Sequence, residues 1–326
     1  MRQVVIENPI INSPFEEPKR HFRFTDDGIT DEIVEGRRPS VNFIPIPPPK
    51  KRGKQLTFDT QWTLDRVEEN QIINRVRDRV SLWRRGGYVG VTNITRRLLE
   101  YWKNPEREKR FFFCQIEALE TAIYLTEVAY KYGDNWIENY LREVNDQFNP
   151  GLFRVAFKMA TGTGKTVVMA MLIAWQTLNK AANPQDSRFS NHFLIVTPGI
   201  TIRDRLQVLL PNHPENYYDE RDIVPADLKG DLAKAHILIT NYHAFKLRER
   251  WEASKLTKAI LSNGGDSPFT ETPEQMVARV CREFLGKKQI IVINDEAHHC
   301  WRPKPDPESE NKLTGDDRKE AEQNRE

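Results

Sequence analysis

The stretch "FKMATGTGKTVVMAMLIAWQ", Phe157 to Gln176, sets a glycine-lysine-threonine turn between a short apolar run and a long one. A phosphate-binding loop needs three parts: a strand that delivers the chain, a turn whose backbone N–H groups close around oxygens, and a helix whose N-terminus faces the anion. Each part has a candidate here. "RVAFKM", residues 154–159, reads as a strand, Gly162 and Gly164 relieve the turn, and the helix is expected to begin near Thr166 and run through "VVMAMLIAWQ". In such a loop Lys165 reaches the β and γ phosphates, Thr166 ligates magnesium, and the backbone of Thr161, Gly162, Thr163 and Gly164 cradles the phosphates. The pattern usually starts with glycine, and Met159 stands in that place. A tight turn carrying a solvated lysine is the alternative reading.

A site that hydrolyses a nucleotide also needs carboxylates to hold the metal and orient water. "QIIVINDEAHHC", residues 289–300, provides an acid pair at the end of a β-favouring run. Asp295 and Glu296 are thereby expected at the carboxyl edge of the sheet, where ligands bind in open α/β sheets. Asp295 suits magnesium, and Glu296 suits the attacking water. Two other readings stay open: a helix-capping acid pair, and a metal site from His298, His299 and Cys300. The second is disfavoured, because three adjacent side chains cannot converge on one ion without unusual backbone.

After Pro150, β-rich runs alternate with helical segments: "RVAFKM", "FLIVTP", "HILIT" and "QIIVIN". That alternation predicts an α/β fold with a parallel sheet over 150–301. Thr272 with Gln275 forms a capping box, Pro273 suits the first helical position, and Gly286 can stop that helix before the last strand. Residues 55–148 read as helical, with Ile73, Val76, Val80 and Trp83 on one face and Gly86 and Gly87 ending the element. "VTNITRRLLEYW", "CQIEALETAIYLTEVAYKY" and "NWIENYLREVNDQ" follow as further helices. Residues 1–54 are rich in proline and charge, end in "IPIPPPKKRGK", and read as an extended tether whose basic end could also serve as a localisation signal or phosphate contact. Residues 302–326 are polar and are expected to form a loop or frayed end.

Composition narrows the function. Lys and Arg total 49 against 47 Asp and Glu, a formal charge of +2, so charged partners must be held by local patches. Cys114, Cys281 and Cys300 are too few and too far apart for a disulfide framework or a zinc site. The longest apolar run, Val167 to Trp175, is too short to span a bilayer. A cytoplasmic protein with no membrane partner is the expectation.

"MATGTGKT" followed by "DEAH" resembles motifs I and II of superfamily 2 helicases. "RFFFCQIEALETAIYL" resembles the Q motif and its helix, while "LIVTPGITIRDRL" and "ILITNYHAF" resemble the nucleic-acid-contacting motifs between I and II. From about Phe111 to Cys300 the chain is most similar to the N-terminal part of a type III restriction endonuclease Res subunit, a DEAD/DEAH-box protein that uses ATP on duplex DNA. The resemblance implies a RecA-like P-loop lobe after an α-helical N-terminal extension, with ATP and Mg2+ as cofactors. It implies that Gln115 helps read adenine, that His298 couples the acid pair to a second motor half, and that Thr197, Pro198, Arg203, Thr240, Asn241 and Tyr242 meet the sugar-phosphate backbone. For each of those six, ordinary strand-to-helix turn chemistry is the alternative. It further implies duplex DNA and a DNA methyltransferase (modification) subunit as partners. An RNA-directed DEAH helicase and a non-catalytic binding fragment are the rival functions.

Residues 75–110 hold eleven Lys and Arg against four Asp and Glu, interleaved with Trp83, Tyr88, Tyr101 and Trp102. This window is a candidate duplex-contacting surface, or simply a solvated helical face. No stretch after His298 resembles the Ser/Thr-Ala-Thr motif, and the acids and lysine near Asp306, Glu310 and Lys312 lack the strand a nuclease site needs. A second lobe is expected to supply an arginine to the transition state, so the chain alone is expected to be an incomplete enzyme.

Overall fold

The computed structural model describes residues 6, 8–25, 28–44, 66–148, 150–248 and 271–297. The chain divides into two compact units, Met1–Met171 and Leu172–Glu326. The basic tether's end, the acids and lysine near residue 306, and the polar stretch 302–326 lie outside the described residues.

The first unit opens with an antiparallel hairpin, β1 (Arg20–Thr25) and β2 (Gly28–Glu35), with Phe22 opposite Ile33 and Phe24 opposite Ile29 across an irregularity at Arg23. A second pair joins β3 (Val41–Ile44) to β4 (Arg66–Glu69). The tether and the helical segment expected over these residues therefore give way to four strands. Proline suggested the tether, yet residues 19–38 contain none, and the β-branched and aromatic residues there are free to pair.

Four helices follow: α1 (Gln71–Arg85), α2 (Asn93–Lys103), α3 (Phe113–Ile123) and α4 (Asn135–Phe148). Gly86 caps α1 and Gly87 turns the chain at φ +77°, in the left-handed region that costs glycine little. On α1 the expected face is buried only toward its C-terminal end: Val80 and Trp83 are in the core, while Ile73 is exposed. The Thr92 hydroxyl accepts from the Thr95 N–H and caps α2. Leu98, Leu99 and Trp102 of α2 and Leu119 and Ile123 of α3 complete the core. Past Ile123 the helix widens into a π turn and then tightens into a 3-10 turn ending at Gly133. That break seats Tyr124 against Trp83, their rings 5.5 Å apart.

Acids from elsewhere pair with Arg79 and Arg84 of the basic window. Glu120, fully buried on α3, accepts from Arg84 Nε at 2.7 Å and from the Tyr88 hydroxyl. Arg84 also reaches Glu17 at 3.1 Å, and Arg37 grips Glu117 through two hydrogen bonds. Asp134 accepts from Arg79, Tyr124 and Trp136. Burial opposes ionisation of Asp134, but those three donors outweigh it and hold the carboxyl below its ordinary range. Burial and the same carboxylate push the Tyr124 phenol up to about 12.

The helix α5 (Lys165–Ala182) is apolar on nearly all sides, as a buried helix must be, and Met171, Ile173, Trp175 and Leu178 are inaccessible. In the second unit, β5 (His192–Thr197) is the centre of a parallel sheet of order β6-β5-β7, with β6 (His236–Asn241) and β7 (Ile291–Asn294) on either side. From Phe193 to Thr197 β5 is buried throughout, as expected of a central parallel strand covered on both faces. Between β5 and β6 run α6 (Ile200–Arg205), α7 (Tyr217–Glu220) and α8 (Lys229–Leu232). Between β6 and β7 lies α9 (Pro273–Val280), opened by the expected Thr272–Gln275 capping box. Gly286, at φ +77°, follows a 3-10 turn that extends α9, so it closes that turn and not the helix itself. Phe284 and Cys281 at this end pack with Leu194, Val196 and Leu238 of the sheet.

One predicted strand does not form. Residues 152–160 adopt no regular structure, and Val155 and Phe157 are 37% and 40% exposed. A β-favouring sequence becomes a strand only through a hydrogen-bonded neighbour, and the three-stranded parallel sheet does not include this segment.

Candidate functional site

In the first unit the turn before α5 has the conformation its glycines permit. Gly162 and Gly164 both sit at φ +80°, where any side chain is strained. Val167 and Val168 donate to the Gly164 carbonyl at 2.9 and 3.2 Å, so the helix starts immediately after this glycine, one residue earlier than expected. Thr161 and Gly162 are exposed, and Thr163, Gly164, Lys165 and Thr166 are half-buried. The Thr163 hydroxyl donates to the Ala160 carbonyl at 2.6 Å and tightens the turn. Backbone N–H groups at the start of a helix of 18 residues, with a lysine at its first position, make an anion-receiving arrangement.

Gln115, on the first turn of α3, is 5% exposed and touches this loop. Its Oε1 accepts the Phe112 N–H at 2.9 Å, and its Nε2 donates to the Thr163 carbonyl at 2.9 Å. A Cβ built on Gly164 would collide with that same Nε2. Sequence reading found Gln115 through its place in a motif. It missed the contact, since no local pattern announces a bond between residues 48 positions apart.

In the second unit the acid pair sits where the strand pattern put it. The Asp295 N–H donates to the Val196 carbonyl at 3.1 Å, extending the β5–β7 pairing by one residue. Val196 pairs with Asn294 and Thr197 with Asn241, so Thr197, Asn241 and Asp295 all lie at the carboxyl ends of the three strands. Glu296 has φ +50°, a left-handed conformation rare for a residue with a side chain, and its N–H is held by Asp295 Oδ1 at 3.1 Å. Strain of this kind just past a strand end re-aims a side chain, and composition gave no sign of it. His298, His299 and Cys300 lie outside the described residues, and with them the coupling role and the alternative metal site. Among the described residues no group of three or more His, Cys, Asp or Glu could hold a metal ion.

Two of the proposed backbone-contacting residues are engaged in turns. Thr197 is buried, its hydroxyl donating to the Gly199 carbonyl at 3.0 Å, which ties the turn after β5. Asn241 caps the turn after β6, its Oδ1 accepting from the Ala244 N–H at 3.0 Å. These two do the turn chemistry that was their alternative reading. Arg203, beside Asp204, and Tyr242, its ring 3.9 Å from that of His243, stay accessible at the same end of the sheet. In the basic window, Arg84 is excluded as a surface contact by its burial among Glu120, Glu117 and Glu17. Arg85 and Arg97 remain exposed.

Among the described residues no helix is long and apolar enough to cross a membrane. No curated protein and no solved structure matches the chain. The family described as type III restriction enzyme, res subunit, matches residues 108–311, more than half of the sequence. That span begins before α3 and its Gln115, and it includes the phosphate-loop sequence, the parallel sheet and the acid pair. The chain therefore belongs to the type III restriction enzyme res-subunit family and carries its DEAD/DEAH-like helicase N-terminal domain, a RecA-like lobe of an ATP-dependent motor.

Proposed function

We propose that this lobe binds ATP through residues 159–166 and couples its hydrolysis to movement on duplex DNA. The observation that carries the reading is the loop itself: two glycines at φ +80° deliver the chain into α5 with Lys165 at its first position. Lys165 would neutralise the β and γ phosphates, and the N–H groups from Thr161 to Thr166 would donate to their oxygens. By the family's motifs, the Thr166 hydroxyl and the Asp295 carboxylate would each be a hard oxygen donor, a type that suits magnesium better than a softer ion. When bound, magnesium would supply charge neutralisation at the phosphate oxygens. Glu296, directed by its left-handed backbone, would orient the attacking water and accept its proton. His298 would couple the acid pair to the other half of the motor.

For nucleic acid, Tyr242, exposed, and Arg203, half-buried, at the carboxyl end of the sheet are the candidate members of the contact motifs. Contacts of this type go to phosphate and sugar and carry no sequence information. A modification methyltransferase would then be the partner that selects the site, and the cytoplasm the compartment. The test is binding of magnesium-ATP by wild type and Lys165→Ala, followed by titration with duplex DNA and matched RNA. Equal stabilisation of both proteins by magnesium-ATP would remove the phosphate-loop reading, and stimulation by RNA alone would remove the DNA assignment.

A further inference from the structure

We propose that Arg279 is a positioning residue that fixes the segment leaving β6 against α9, and that Lys246 and Arg248 on that segment are further phosphate contacts for duplex DNA; this rests on the reading of Tyr242 as a nucleic-acid contact. After β6 the chain makes a 3-10 turn, Tyr242–Phe245, and Lys246 then turns it to extended backbone at φ −71° and ψ 133°. A turn this short leaves its last carbonyls without partners of its own. Arg279 supplies the donors: Nη1 bonds the Ala244 carbonyl at 3.0 Å, and Nη2 bonds the Lys246 carbonyl at 3.1 Å.

The same guanidinium grips Glu271, Nε and Nη2 each donating to one carboxylate oxygen at 2.9 Å. Glu271 is 8% exposed and is tied to the segment as well. Its N–H donates to the Arg248 carbonyl at 2.9 Å, and its Oε2 accepts the Arg248 N–H at 3.2 Å. Only a planar fork with donors on three nitrogens can hold a carboxylate and two carbonyls at once, which a lysine ammonium cannot do. The charge of Arg279 is thereby matched by Glu271, so Arg279 is not itself a contact. Lys246, Leu247 and Arg248 are exposed, and among the described residues neither Lys246 nor Arg248 forms an ion pair. Two cations therefore stand on a backbone that is already fixed, beside the exposed Tyr242. A contact built on fixed backbone loses less conformational freedom when it meets a phosphate. No local pattern announces the clasp, since Arg279 lies 33 positions beyond Lys246.

The experiment follows duplex DNA binding by the whole chain, read as fluorescence anisotropy across a salt series, with unfolding midpoints taken on the same samples. Lys246→Ala with Arg248→Ala should lower the slope of log affinity against log salt by about 2, because each phosphate contact contributes about 0.9. Arg279→Met should give the same loss of slope, with binding about tenfold weaker. Adding Arg279→Met to the alanine pair should weaken binding no further. Arg279→Met with Glu271→Met keeps the net charge of wild type and leaves no stranded carboxylate, so it should regain the midpoint without regaining affinity. A variant that regained both would mark a merely structural role and overturn the proposal. So would an unchanged slope in the alanine pair, further weakening on adding Arg279→Met to it, or binding of matched RNA alone by wild type. If wild type bound neither duplex DNA nor RNA, the nucleic-acid reading of Tyr242 would itself fall.

Discussion

Arg84→Met should destabilise the first unit by about 3 kcal/mol, although the residue lies in a window that reads as solvent-facing and basic. The magnitude follows from what the guanidinium leaves behind. Glu120 has no solvent exposure; Arg84 Nε lies 2.7 Å from its Oε2, and Nη2 approaches the same oxygen at 2.6 Å without good hydrogen-bond alignment. Removing one member of a buried pair strands the other charge, which typically costs about 3–5 kcal/mol. The low end applies because the Tyr88 hydroxyl still donates to Glu120, and Lys103 stands 2.5 Å from that hydroxyl. Methionine keeps the packing of the alkyl stem, so the loss reports charge and not a cavity. Adding Glu120→Leu removes the stranded carboxylate and should return about 2 kcal/mol, a coupling that two independent sites would not show. The assay is urea unfolding followed by tryptophan fluorescence, since Trp83 and Trp102 are 6% and 2% exposed in this core. Arg85→Ala, on the exposed face beside it, should stay within about 0.5 kcal/mol of wild type. A loss below about 1 kcal/mol for Arg84→Met, or an equal loss for Arg85→Ala, would refute the placement of Arg84 inside a buried network.

Lys165→Ala should leave the unliganded unfolding midpoint nearly unchanged and abolish the rise produced by magnesium-ATP, as a thermal-shift titration would read. His192 stacks on His236 with ring centroids 4.9 Å apart, and burial, then His236, Lys287 and Lys180, depress its pKa. The folded state then binds fewer protons than the unfolded chain, so the contribution of His192 is present above the ordinary histidine pKa and lost as pH falls below it. His243 is depressed as well, by burial and Lys246, so the comparison must be made with His192→Gln; urea midpoints from pH 7.5 to 5 should fall less steeply in that variant, and parallel curves would exclude His192 as a source. Thr272→Ala removes the side-chain half of a capping box, Oγ1 accepting from the Gln275 N–H at 3.3 Å, and should cost about 1 kcal/mol by denaturant unfolding. Replacing Arg85 and Arg97 together with alanine should flatten the salt dependence of duplex binding, whereas Arg84→Met should not, and the reverse ranking would return Arg84 to the surface.

What the sequence made legible was whatever is encoded within a few residues. The three parallel strands were readable because a β-branched run of four to six residues between turn signals has few other fates. The start of α5 and the capping box of α9 were readable because glycine, proline and a threonine three residues before a glutamine act on their own backbone. The same locality explains the failures. Residues 154–159 have every internal mark of a strand, and pairing, the one requirement they cannot carry within themselves, is missing. The hairpin at residues 20–35 was hidden by prolines that flank it and do not interrupt it.

Charge shows the limit most clearly. Counted along the chain, residues 75–110 are strongly basic, and a basic stretch beside aromatic residues suggests a polyanion. Counted in space, Arg84 belongs with Glu17, Glu117 and Glu120, and Arg79 belongs with Asp134, acids drawn from as far as 67 positions away. The aromatic residues have equally local occupations, since Trp83 donates to the Val89 carbonyl and Tyr88 to Glu120. Exposed cations such as Arg85 and Arg97 are the ones whose field a duplex could feel. A window's net charge therefore measures a possible surface only after its buried pairs are removed, and here that removal takes away Arg79 and Arg84.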